Sequence, residues 1–314
     1  MPRRGGSNPN RPAPNSDGAG IPWPFFRTSA MASLSTKAAK EIRVLLKPWQ
    51  LRTGLGKPVS LSKFDPAAKP FSNGDKGQDK LAVESLAVEI DRLQDVLFAD
   101  RRFKVLIVLQ GMDAAGKDGT VRGVFGRVSP LGVRTASWKA PTEQERAHDF
   151  LWRIHQRIPA AGEMMIFNRS HYEDVLVPVV MGSLSAAETD QRFRQINDFE
   201  RLLVETGTVV LKFMLHISRD EQRARLQERI DDPTKAWKFM ASDLDVRKRW
   251  TRYMAAYEAL LAATGTALAP WVIVPADSKT HRNLMIATLV KETLRSLGLR
   301  YPPPDTAVQG VKVV

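Results

Sequence analysis

The chain has 314 residues, 43% hydrophobic and 26% charged, with a net charge of +13 and no cysteine. That length can bury one large α/β core or two small ones. The missing thiols exclude disulfides and thiolate metal sites, which fits a reducing cytoplasm, and no segment reads as a signal peptide or a membrane span.

Residues 1–48 carry eight Lys/Arg against two acids, so the remainder is only mildly basic. Within them, residues 1–34 form a basic tail. Its first 24 residues hold six prolines among Gly and Asn and cannot build a core, which predicts disorder. A basic helix is expected over 35–47, followed by a Pro/Gly-punctuated stretch over 53–77, so that 35–78 makes an arm draped over a single domain of residues 35–314. Asp79 reads as the N-cap of a helix to about 99, with Leu86, Ile90, Leu93 and Leu97 on one face.

Residues 103–109, FKVLIVL, are short, β-branched and apolar on both faces, as expected of a strand buried in a parallel sheet. They lead straight into QGMDAAGKDGT, where Gly111, Gly116 and Lys117 satisfy G-x-x-x-x-G-K. Such a loop turns successive backbone N–H groups into one concavity and adds a helix N-terminus and a lysine, a cradle for phosphate. Gly111, Ala115, Gly116, Lys117, Asp118 and Gly119 are its expected phosphate-binding residues. The ATPase pattern requires Ser or Thr after the lysine to ligate Mg²⁺, and here Asp118 stands there. Asp113 is equally unusual, because a carboxylate repels phosphate unless a divalent cation lies between them. It is read as a metal ligand, against the alternative of an Asp bonding its own turn amides.

Strands and helices then alternate: a strand over 133–138, a helix over 142–157 opened by a Thr142/Glu145 capping box, and a strand over 164–167. A long helix over 186–205, a strand over 208–217, and a final strand and helix over 271–274 and 280–297 complete the series. Residues 218–263 read as a helical excursion broken at Asp231-Asp232-Pro233. This predicts an α/β three-layer fold, a parallel sheet of about five strands with the ligand site at its carboxyl edge and 218–263 as a lid.

The strand over 164–167 delivers Asn168, Arg169, Ser170, His171, Tyr172, Glu173 and Asp174 to that edge. Arg169 can hold a phosphate bidentately, and Glu173 and Asp174 can orient metal-bound water or a nucleotide; the alternative is a solvated loop with an Arg–carboxylate pair. His171 is read as structural. Lys139, after a strand, can shape an acceptor pocket, and Arg153 can reach a phosphate or pair with Asp149. Asp277 is expected to cap the last helix. The lid holds Arg225, Arg229, Lys235 and Lys238; the first two are four apart and can grip a polyanion together, or face solvent in salt bridges.

In their order and spacing, LQGMDAAGKDGT, HDFLWRIHQRIP, FNRSHYEDVLV, RQINDFERLL, DPTKAWKF and PWVIVPADSK resemble the polyphosphate kinase 2 family over roughly residues 60–303. The resemblance implies a P-loop kinase fold and reversible transfer of phosphoryl groups from inorganic polyphosphate to nucleotides, AMP and ADP both being accepted. It implies Mg²⁺, with Mn²⁺ as a substitute, and a homo-oligomer. Asp113 and Lys117 match the family's loop aspartate and lysine, Asn168 and Arg169 its second motif, and Arg225 and Arg229 its lid arginines. Catalysis is thereby assigned to Asp113, Lys117, Arg169, Arg225 and Arg229. The metal falls to Asp113 and Asn168, the latter standing where many members have Asp, and polyphosphate also to Lys235 and Lys238. The nucleotide falls to Lys139, Arg153, Asn168, Arg169, Glu173 and Asp174. The rivals are an ATP-dependent nucleotide kinase and a nucleic-acid-binding module; no nucleic-acid motif is present.

Overall fold

The structure, a computed structural model, describes residues 37–51 and 57–305. The expected tail 1–34 lies outside them. In chain order the helices are α1 (Lys37–Leu46), α2 (Lys76–Asp100), α3 (Lys117–Phe125), α4 (Glu143–Arg146), α5 (Trp152–His155), α6 (Glu173–Met181), α7 (Ala186–Glu205), α8 (Arg219–Asp231), α9 (Ala241–Lys248), α10 (Trp250–Thr264) and α11 (Lys279–Ser296). The strands are β1 (Gln50–Leu51), β2 (Lys104–Gln110), β3 (Val133–Ser137), β4 (Met164–Asn168), β5 (Thr208–His216) and β6 (Trp271–Pro275).

The six strands form one sheet in the order β1-β6-β5-β2-β4-β3. Five are parallel, as the alternating pattern predicts. The sixth, β1, pairs antiparallel with β6 at the edge, where a two-residue strand is too short to leave a signal. β2 lies between β4 and β5, and Val105 to Leu109 are fully buried. The chain crosses to one side of β2 for β3 and β4 and to the other for β5 and β6, so the crevice beside the carboxyl end of β2 is the topological switch point. Two helical groups, α2/α3/α11 and α6/α7/α10, cover the sheet.

Several boundaries differ from expectation for local reasons. The α2 cap is Asp75, which accepts from Gly77 N and Gln78 N; Asp79 is already inside the helix, buried, and accepts from Thr280 Oγ1 at 2.9 Å. The helix expected over 142–157 is two short pieces. The Thr142/Glu145 box opens α4 as predicted, but the Asp149 carboxylate takes the Leu151 N–H and makes a turn between α4 and α5. Ser278, not Asp277, caps α11; Asp277 instead accepts from Ser218 N at the start of α8. Of the excursion over 218–263, α10 packs into the core through Tyr253, Tyr257, Leu260 and Leu261, while α8 reaches the loop after β2. The arm is tied down by Leu61 N on Glu258, by Pro66 O accepting from Asp277 N, and by Phe71 N on His281 Nε2.

Candidate active site

The loop after β2 depends on three residues of positive φ. Gly111 has φ +151°, and a Cβ there would lie 2.6 Å from Leu215 O. Gly116, with φ +106°, is pressed against the Arg282 guanidinium, and Ala114 is left-handed at +64°. The chain thus turns back on itself and enters α3 at Lys117. The Lys117 ammonium is buried and folds over its own loop, donating to Gly111 O at 2.6 Å and Met112 O at 3.1 Å. Burial, then the nearby Arg169 charge, lowers its pKa, while Asp113, Glu173 and Asp118 oppose the fall.

Two arginines brace the loop from behind. Arg225 of α8 donates Nη1 to Ala114 O and Ala115 O, Nη2 to Ala276 O and Asp277 O, and Nε to Glu221. All five of its donors are used, so here it has none for a phosphate. Arg282 of α11 also donates to Ala115 O, at 3.2 Å, and burial beside Arg225 pulls its guanidinium down to about 9, still protonated at neutral pH. Sequence reading missed Arg282, because a single arginine in an amphipathic helix carries no mark of its contacts.

In front of the loop the polar run after β4 meets it. Arg169, itself left-handed at φ +64°, donates Nη2 to Asp113 Oδ1 at 2.6 Å, and Asn168 Nδ2 donates to Asp118 Oδ1 at 2.6 Å. Burial lowers the Arg169 pKa, but Asp113 and Glu173 more than offset this and hold it above its ordinary value. Glu173, at the start of α6, accepts from Gln110 Nε2. The Asp113 backbone carbonyl accepts from Gln222 of α8, a second residue the sequence did not single out. Asp113 therefore bonds an arginine rather than its own turn amides.

Beside Arg169 opens a cleft of about 1090 Å³. Five of the six side chains expected at the nucleotide, Lys139, Arg153, Arg169, Glu173 and Asp174, line it; Asn168 does not. Arg153 and Asp174 neutralise each other in a buried pair, Nη2 lying 2.9 Å from both carboxylate oxygens. Arg153 thus pairs with Asp174, and at 3.5 Å with Glu145, not with Asp149. Burial raises the Asp174 pKa against the pull of Arg153.

The outer lid residues are paired more loosely. Arg229 lies 3.5 Å from the buried Asp243 of α9, which also feels the charges of Asp113 and Arg169, whereas Arg225 is held by loop carbonyls. Lys235 bridges Asp232 at 2.6 Å and Glu228 at 2.8 Å, and Lys238 lies over the Trp237 ring. His171 is fully buried and outside the cleft, with Nε2 3.6 Å from Glu200 Oε1, in keeping with a structural role.

No cluster of three His, Cys, Asp or Glu side chains among the described residues forms a ready-made metal cage. The loop carboxylates Asp113 and Asp118 nevertheless fit a hard cation such as Mg²⁺, which binds through one or two carboxylates and completes its shell with water and substrate phosphates. Asn168, which directs its amide nitrogen at Asp118, makes a poorer ligand than either.

A parallel sheet whose central strand runs through G-x-x-x-x-G-K into a helix defines a phosphate-loop kinase fold. The family model for polyphosphate kinase 2 (PPK2) matches residues 73–298, and the chain belongs to that family. It is 49% identical over 256 residues to the AMP/ADP-polyphosphate phosphotransferase of Meiothermus ruber, covering 81% of this chain and 95% of that protein. It is 39% identical over 277 residues to the ADP-polyphosphate phosphotransferase of Rhodopseudomonas palustris, covering 83% and 94%. The solved structure of polyphosphate kinase 2 from Arthrobacter aurescens superposes with a TM-score of 0.78 at 42% identity, covering 82% of this chain and 93% of that one.

Proposed function

We propose that this protein transfers phosphoryl groups reversibly between inorganic polyphosphate and AMP or ADP. The observation that carries the reading is the position of Arg169, which bonds Asp113 in the phosphate loop and at the same time lines the cleft. One guanidinium thus joins two places suited to anions. Polyphosphate would lie on the loop amides and Lys117, with the nucleotide in the cleft against Lys139 and Glu173, and Arg169 between the reacting phosphates.

In this reading Arg169 exchanges its Asp113 oxygen for a phosphate oxygen, and Lys117 exchanges carbonyls of its own loop for phosphate. Both cations already stand at the loop before substrate arrives, so phosphate binding has them change partners in place. Asp113 and Asp118 are the residues that would hold Mg²⁺ or Mn²⁺, which when bound neutralises phosphate charge. The acceptor phosphate is already ionised near neutral pH, so no general base is required. Arg229, Lys235 and Lys238 would engage the outer part of the polymer, with α8 and α9 as its cover.

No helix among the described residues is long and apolar enough to cross a membrane, and a cytoplasmic homo-oligomer accords with the proposal. An ATP-dependent kinase is disfavoured, because Asp118 replaces the metal-binding hydroxyl and bonds Asn168. The test is incubation with polyphosphate, Mg²⁺ and AMP or ADP without ATP. New ADP or ATP is expected; a requirement for ATP as donor would overturn the proposal.

A further inference from the structure

Beneath the corner that carries Arg169 lies a buried ionic cluster, and none of its members lines the cleft. Lys212, in the middle of β5 and 1% exposed, donates Nζ to Glu200 Oε2 at 2.6 Å, to the Tyr172 hydroxyl at 2.9 Å and to Thr264 O at 2.7 Å. The Tyr172 hydroxyl donates to Glu200 Oε1 at 2.6 Å. Every Lys212 donor is satisfied, and the Tyr172 ring packs on Trp271 with centroids 4.9 Å apart.

An ion pair in a sheet core is a poor means of gaining stability, since apolar residues of similar volume often serve as well or better. What apolar packing cannot supply is direction. Two partners fix the Tyr172 oxygen, and Tyr172 stands three residues after Arg169 and one before Glu173. The intervening backbone needs such a hold: Arg169 is left-handed, a costly state for a residue with a side chain, and persists only where its surroundings impose it. The corner's other ties hold it to β2 and to itself, through Arg169 N to Leu109 O, Ser170 Oγ to Gln110 and Glu173 N to Ser170 O, while His171 Nε2 lies 3.6 Å from Glu200 Oε1 and adds a second link to the same cluster.

We propose that Lys212 and Glu200 are positioning residues: acting through the Tyr172 hydroxyl, they lock the 169–173 corner so that Arg169 reaches the phosphate loop and the cleft together. The inference rests on the proposed role of Arg169 in phosphoryl transfer. It is tested with Tyr172→Phe, which keeps the ring, and with the double variant Lys212→Met/Glu200→Gln, which removes both charges without leaving either unpaired. Leu260→Ala, a core truncation in α10, controls for destabilisation alone.

For transfer from polyphosphate to ADP, both network variants should lose about tenfold or more in kcat, with the nucleotide KM within about twofold of the parent. Amides of 169–174 should exchange hydrogen faster while β5 and β6 stay protected, and Leu260→Ala should change neither kcat nor the corner's exchange. Parent-like kcat with parent-like protection at 169–174 would overturn the proposal, as would a loss of kcat equal to that of Leu260→Ala at matched stability. If the parent itself transfers nothing from polyphosphate, the proposed function fails. Exchange at the corner then decides by itself whether the network positions it.

Discussion

Arg225 and Arg229 stand one turn apart on α8, yet Arg225 uses all five N–H groups on four carbonyls and Glu221, whereas Arg229 meets one carboxylate at 3.5 Å. The same division runs through the site. Its floor, the phosphate loop with Arg225 and Arg282 behind it, is cross-linked by buried bonds to backbone. Its cover, from Arg229 through Lys238, is held by partly exposed ion pairs, of which Lys235 with Asp232 and Glu228 is the clearest. Arg225, with every donor taken by carbonyls and Glu221, is fixed, whereas Lys235, held by partly exposed carboxylates, is able to change partner. The floor therefore offers shape and amide dipoles, and the cover offers exchangeable charge.

The largest effect should come from Lys117, the floor cation that the proposed function assigns to the phosphate chain. Lys117→Ala is expected to lower kcat/KM by about 10²–10³-fold, the loss typical of removing one stabilising donor from a preorganised site. Stability should change by less than about 1 kcal/mol, because the lost bonds to Gly111 O and Met112 O are offset by relief of a desolvated charge. Steady-state rates and denaturant unfolding measure the two quantities. Arg225→Lys should reverse the weighting: a lysine cannot reproduce the fork on four carbonyls, so urea unfolding should show a loss of about 2–3 kcal/mol, with activity falling as the loop loosens. If Arg225→Lys left stability intact and only weakened polyphosphate binding, the division between floor and cover would break.

How much of this was legible depended on how local the cause was. The β2–loop–α3 unit could be read because the apolar strand, two glycines and the lysine are contiguous, and the helix expected over 186–205 matches α7 at both ends. The polar run after β4 could be assigned to the ligand edge because strand direction alone puts it there. Contacts set by tertiary packing were not legible. Arg282 reaches Gly116 and Ala115 from α11, Arg153 finds Asp174 rather than its neighbour Asp149, and Lys212 in VVLKFML gives no hint that it is buried. Spacing placed Arg225 and Arg229 on one helical face correctly, but it could not say that loop carbonyls would claim the first.

Within the cover, Arg229→Ala should cost about tenfold in kcat/KM for polyphosphate, as one charge-assisted contact is lost. Stability should move by no more than about 1 kcal/mol, since the pair with Asp243 is long and Arg229 is partly exposed. An equal loss of stability and rate would transfer Arg229 to the floor.

Lys235→Ala tests the far end of the series. Lys235 is shared between Asp232 and Glu228, and Glu228 keeps Lys279 at 3.3 Å when Lys235 is gone, so the turn should hold its shape. The remaining effect is long-range attraction for a polyanion, which salt screens within about 8–10 Å at ordinary ionic strength. The polyphosphate KM should therefore rise by about twofold to threefold at low salt, and the difference should vanish as salt approaches about 0.5 M. A larger loss that survived high salt would mean that Lys235 holds a phosphate in direct, partly desolvated contact. In that case the cover would contain a fixed subsite of its own, and the contrast with the floor would apply only to Arg229.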